Sequence, residues 1–112
     1  MAKKSSVPNS VRIAEPEPDR VDVTLVGDID YAASKQLDAV VDRALRAGPR
    51  EIRLDLADVT FFSAAGLNFL LRLRVAAKAE QAVLVAEPVP RCVQRVVTLA
   101  GIDGLFTHPH AA

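Results

Sequence analysis

With 112 residues, half of them apolar and a quarter charged, the chain is long enough for one domain with one core and too short for two. Its 14 basic and 14 acidic residues cancel to a formal net charge of zero, which excludes a general electrostatic drive toward nucleic acid or anionic membrane. A single cysteine, Cys92, excludes an intramolecular disulfide, and no His/Cys cluster has metal-ligand spacing.

Charged residues interrupt every apolar run well before the roughly 18 residues of a membrane span. No basic-then-apolar leader opens the chain. The expectation is a cytoplasmic protein with no cofactor, no metal and no membrane insertion. Residues 1–20 hold Lys3, Lys4, Ser5 and Ser6, followed by Pro8, Pro16 and Pro18. That density of proline prevents a helix, and only Val11 and Ile13 hint at an edge strand. A flexible tail is expected over residues 1–10.

Val21, Val23 and Leu25 alternate with Asp22 and Thr24, which predicts a strand ending at Gly27-Asp28-Ile29-Asp30. A helix follows from about Ala33 to Ala47. Leu37, Val40, Val41, Ala44 and Leu45 fall on one apolar stripe, and Gly48-Pro49 ends it. Ile52, Leu54 and Leu56 alternate with Arg53 and Asp55, so a buried strand is predicted from Glu51 to about Asp55. Phe61 and Phe62 then lead into Ser63-Ala64-Ala65-Gly66, a turn of small residues at a helix entrance. Backbone N–H groups and the positive end of a helix dipole meet there, so a regulated site is expected at this turn.

The second helix is predicted from about Ala65 to Ala79. Gly66, Phe69, Leu70, Leu73 and Ala77 form its core stripe. Leu67, Leu71 and Val75 lie on a different side, among Asn68, Arg72, Arg74 and Lys78. That side is either wedged against neighbouring elements or is a partner surface with basic edges. Ala82 to Val85 reads as a short strand that could reach Ala86. A last helix is predicted over about Pro90 to Ala100, with Val93, Val96, Val97 and Ala100 inward and Gly101 at its end. Ile102, Leu105 and Phe106 are expected to close the core. Strands alternating with helices imply parallel pairing and right-handed crossovers.

No Gly-rich phosphate loop occurs. His108 and His110 flank Pro109 near the C-terminus and read as solvated residues. Cys92 could have its thiol pKa lowered by Arg91 and a helix N-terminus, but packing as a small hydrophobe is the commoner role. Asp28 and Asp30, two residues apart, could act as paired carboxylates, and turn formation or helix capping explains them equally well. Asp55 and Asp58 carry the same ambiguity. Without a third ligand or a nucleophile, an enzyme is not expected. Ser63 has two readings. It could cap the second helix, a contribution of about 1 kcal/mol, or it could accept a phosphate that would meet the helix dipole.

In this order and spacing, several of these residues resemble the STAS domain of bacterial anti-sigma factor antagonists. They are Gly27-Asp28-Ile29-Asp30, Leu54-Asp55-Leu56 with Val59 through Phe62, and the small-residue turn closing in Gly66-Leu67. The last helix and its exit, Pro90 through Val97, Leu99, Gly101 and Leu105-Phe106, fit the same pattern. Each motif alone is loose, and the ordered set is specific. It covers roughly residues 11–107, leaving 108–112 as a C-terminal tail.

The resemblance implies an α/β fold, a single domain with a four- to five-stranded mixed sheet and helices packed on one side. It also implies a cytoplasmic bacterial switch protein acting by partner switching in transcription regulation. Such a protein binds an anti-sigma factor, usually one with a kinase-type ATP-binding domain, and so releases a sigma factor to RNA polymerase. The implied partner surface is formed by Asp28, Asp30 and Tyr31, by the turn Ser63, Ala64, Ala65 and Gly66, and by Leu67, Leu71 and Arg74 on the second helix. In the family the turn reads Asp-Ser-Ser-Gly-Leu or a close variant, and the serine after the aspartate accepts phosphate from the partner kinase. Here Ser63 takes the aspartate position and Ala64 the acceptor position, so the hydroxyl of the usual off switch is missing. Alternatives within the fold are a STAS subunit of a membrane transport complex and a scaffold in a signalling assembly. A small-molecule-binding domain or a cryptic enzyme is the alternative from another class.

Overall fold

Period-2 and period-3.6 apolar patterns become strands and helices in strict succession in the computed structural model, which describes residues 10–101. The elements are β1 (Ser10–Glu17), β2 (Arg20–Ile29), a 3-10 turn (Tyr31–Ala33), α1 (Ser34–Ala47), β3 (Glu51–Phe62), α2 (Ala64–Ala79), β4 (Val83–Ala86) and α3 (Arg91–Leu99). The four strands form one mixed sheet in the order β1-β2-β3-β4. β1 runs antiparallel to β2, whereas β2, β3 and β4 are mutually parallel, joined by the crossover helices α1 and α2.

Register aligns the apolar positions across the sheet. Val21, Ile52 and Leu84 form one row, and Val23, Leu54 and Ala86 the next. Every one of these is buried, in one core cluster with Leu37, Val40, Phe69, Leu73, Val93 and Val97 from the helices. The opposite face carries Asp22, Thr24, Arg53 and Asp55, which are half-buried or exposed. There the Arg20 guanidinium donates to both Asp22 oxygens, at 2.8 and 3.0 Å, and this holds the Asp22 carboxyl below its usual range.

Several elements differ from the sequence expectation. β1 begins at Ser10, inside the expected tail, and continues through Pro16. Proline is tolerated because the strand is at an edge and Pro16 lies where the register breaks between Ala14 and Glu17. β3 runs to Phe62 rather than ending near Asp55. It carries an extra residue at two places, between Asp55 and Asp58 and between Val59 and Phe61, so its alternation is lost halfway. The Asp55 carboxylate accepts the Ala57 amide at 3.0 Å at the first of these irregularities. Gly27 has φ +85° beside the second, in the left-handed region that glycine supplies without strain.

α1 buries Leu37, Val40, Val41 and Ala44 as expected, and Gly48 ends it in the left-handed conformation. Leu45 is 40% exposed, because it sits at the edge of the stripe where α1 faces α2 and not the sheet. β4 starts one residue after Ala82. Pro90 is the N-cap of α3 and not a member of its first turn, and Ala100 is exposed beyond its end. The rest of the expected N-terminal tail, residues 1–9, the expected C-terminal tail, 108–112, the expected closing residues Ile102, Leu105 and Phe106, and both histidines lie outside the described residues.

Candidate functional site

Parallel pairing brings the C-terminal ends of β2 and β3 side by side, with Ile29 opposite Phe62. Ser63 joins them. Its amide donates to the Ile29 carbonyl at 3.0 Å, and its hydroxyl donates to the same oxygen at 3.2 Å. That hydroxyl also accepts the Ala65 amide at 3.2 Å, and the Ser63 carbonyl takes the Leu67 amide at 3.1 Å. Ser63 is therefore the N-cap of α2, one of its two sequence readings. The helix begins at Ala64, so the expected four-residue turn contracts to Ser63 alone. Ala64 is exposed in the first turn, while Gly66 is buried against the Phe62 ring.

The loop after β2 uses its two carboxylates separately. Asp28 is 8% exposed and accepts from the Thr60 hydroxyl on β3 at 2.8 Å. Asp30 accepts the Ala32 amide at 3.0 Å and caps the 3-10 turn. Asp30 thus caps a turn, one of the sequence readings, whereas Asp28 ties β2 to β3, a contact that neither reading named. Tyr31 projects from this loop with 84% of its surface exposed, and Phe61, at 41%, lies at the same end of the sheet. The sequence pattern carries no sign that Phe61 is exposed. The second irregularity in β3 gives Phe61 to the open face and Phe62 to the core.

Along α2 the expected surface divides. Leu67 and Leu71 are half-buried, and Leu71 packs against the core and lines a groove with Val41 and Leu45 of α1. Arg74 is exposed and is not part of that groove. Arg72 pairs with Asp38 of α1, tying the two helices together. Neither Thr60 nor the Asp38–Arg72 pair is visible in sequence spacing, since both are contacts between distant segments.

Cys92 is half-buried at the start of α3, its thiol 3.5 Å from the Val59 carbonyl. It packs against the core as a small side chain. Among the described residues no group of three or more His, Cys, Asp or Glu could hold a metal ion, and no helix is long and apolar enough to cross a membrane.

Removing the cap tests the Ser63 geometry directly. Ser63→Ala loses the hydroxyl's two contacts while keeping the backbone bond to Ile29. An unfolding free energy lower by about 1 kcal/mol is expected in urea titration.

A family model described as "Mlab, STAS domain" matches residues 14–107. No curated protein matches the chain significantly in sequence. Among solved structures, an anti-sigma factor antagonist from Mycobacterium paratuberculosis superposes with a TM-score of 0.76 at 20% identity, over 97% of this chain and 92% of that one. The phosphorylated form of the Bacillus cell fate determinant SpoIIAA gives 0.72 at 16% identity, over 88% and 90%. An anti-sigma-factor antagonist (STAS) domain protein from Planctomyces limnophilus gives 0.62 at 19%, over 88% and 87%. At such identities the likeness establishes a shared fold.

Proposed function

This chain belongs to the STAS-domain family, and on that footing we propose that it is an anti-sigma factor antagonist. It would bind an anti-sigma factor, one with a kinase-type ATP-binding domain, in the bacterial cytoplasm and so free a sigma factor. The observation that supports a binding role over a reactive one is the use of the polar side chains at the sheet end. Asp28 holds Thr60, Asp30 holds Ala32, and Ser63 joins Ile29 to Ala65. These groups rigidify a surface. Tyr31, Ala64 and the outer side of α2 are left presented on it, which suits recognition by shape and apolar contact.

The partner surface comprises Asp30, Tyr31, Ser63, Ala64, Ala65, Leu67, Leu71 and Arg74, while Asp28 and Gly66, expected on it from the sequence, are buried and support it from beneath. Leu71→Asp places a charge in a half-buried apolar position, and Arg74→Glu reverses an exposed one. Each is expected to weaken binding of the cognate anti-sigma factor by about 2 kcal/mol, roughly thirtyfold. Calorimetric titration of the folded variants checks this. Unchanged affinity in both would remove Leu71 and Arg74 from the surface. Capture of membrane transport components or a signalling assembly from native lysate, with no anti-sigma factor, would favour the transport-subunit or scaffold role instead.

A further inference from the structure

Val41 and Leu45 of α1, with Leu71, Val75, Ala76 and Ala79 of α2, line an apolar groove of about 440 Å³ between the two helices. Leu45 is 40% exposed and Val75 is 68% exposed, the latter high for an aliphatic side chain on an amphipathic domain helix. The one polar residue in the lining, Arg72, is already paired with Asp38.

The two rims carry opposite charge. On α1, Asp38 and Asp42 are exposed beside Leu45, seven and three residues before it. On α2, Arg74 and Lys78 are exposed, each three residues after a groove residue, Leu71 and Val75. Both helices cross between parallel strands, so they run in the same direction. The Asp38–Arg72 pair fixes their relative height and brings Asp42 level with Ala76, half a turn from Lys78.

We infer that this groove is the contact between two copies of the chain. A two-fold axis running along the groove sets the acidic α1 rim of one copy against the basic α2 rim of the other, with Asp42 facing Lys78 twice. An unrelated helix would have to bring both signs in the matching order, whereas a second copy brings them by symmetry. Zero net charge adds no repulsion between copies. Association through two helix faces is expected to be weak, with dissociation on the order of tens of micromolar. The inference stands apart from the antagonist role and shares Leu71 and Arg74 with its surface.

Sedimentation equilibrium of the full chain, at concentrations on either side of that range, tests the contact. The average mass should climb from monomer toward dimer. Val75→Arg, at a position exposed enough to leave the fold intact, should weaken association roughly tenfold or more. Asp42→Lys should weaken it as well, and Asp42→Lys combined with Lys78→Asp in the same chain should restore it. A chain that stays monomeric throughout would overturn the inference, as would a dimer unaffected by Val75→Arg or a double swap that fails to recover. A groove protected only when an anti-sigma factor is added would assign it to that partner and overturn the inference equally.

Discussion

Gly66→Ala is expected to lower the unfolding free energy by about 1–2 kcal/mol, and Gly66→Val by more than about 3 kcal/mol. Two effects of opposite sign compete. In a helix, alanine in place of glycine ordinarily adds about 1 kcal/mol through reduced chain entropy and better propensity. A Cβ at position 66, however, would stand 2.6, 2.7 and 2.8 Å from three atoms of the Phe62 ring. Such separations lie far inside carbon–carbon contact distance, so the ring must move. Phe62 is only 5% exposed and belongs to the core cluster, so no solvent-side space receives it. Overpacking typically costs about 1–3 kcal/mol, and with no space for the ring the cost here lies in the upper part of that range, about 2–3 kcal/mol, above the propensity gain. Urea unfolding at neutral pH gives the sign. A second-site change separates the contact from any general defect: Phe62→Leu removes the ring edge, so Gly66→Ala should be better tolerated with it than alone. A Gly66→Ala protein as stable as the parent would show that the ring relaxes freely and that the close approach has no energetic weight.

The legible parts of the fold are those where one period persists. β2 and α1 keep strict alternation or a continuous stripe, and their bounds fall within a residue or two of expectation. The second half of β3 was hidden for the opposite reason. Two extra residues shift the phase twice, so Val59 and Phe62 are buried with two exposed residues between them, a spacing no single template matches. At the site, Ser63 was readable as a cap because the chemistry is local, a hydroxyl placed just before a helix. Asp28 was not readable. Its partner Thr60 lies 32 positions away and depends on the shifted register. The apolar side of α2 carrying Leu71 and Val75 was evident from spacing. That Leu45 completes a groove with it follows only from how α1 and α2 pack.

On the antagonist role proposed above, introducing a hydroxyl at position 64 is expected to create a phosphate acceptor at the entrance of α2. The resemblance to anti-sigma factor antagonists implies an acceptor serine directly after the position held here by Ser63, where Ala64 has only a methyl group. The parent chain should therefore take no phosphate from a kinase-type partner at residues 63–66 and behave as a permanently competent antagonist. Ser63 is the obvious substitute acceptor, and its surroundings argue against it. Its hydroxyl is held between the Ile29 carbonyl and the Ala65 amide, half-buried, and both contacts would have to break for transfer. Phosphoryl transfer requires the attacking oxygen in line with the γ-phosphate to within about an ångström, and neighbouring residues at a helix entrance point in different directions. Position 64, by contrast, is exposed in the first turn of α2. A phosphate added there would gain from the helix N-terminus while placing about two negative charges on the proposed docking surface. Incubation with the cognate kinase and ATP, followed by mass spectrometry, should find Ala64→Ser phosphorylated stoichiometrically at the new serine and the parent unmodified. Affinity of the phosphorylated variant for the anti-sigma factor should fall by roughly a hundredfold, about 3 kcal/mol, from like-charge and desolvation costs. Stoichiometric phosphate on Ser63 of the parent chain, absent from Ser63→Ala, would show instead that the acceptor has moved back by one residue and that the switch survives.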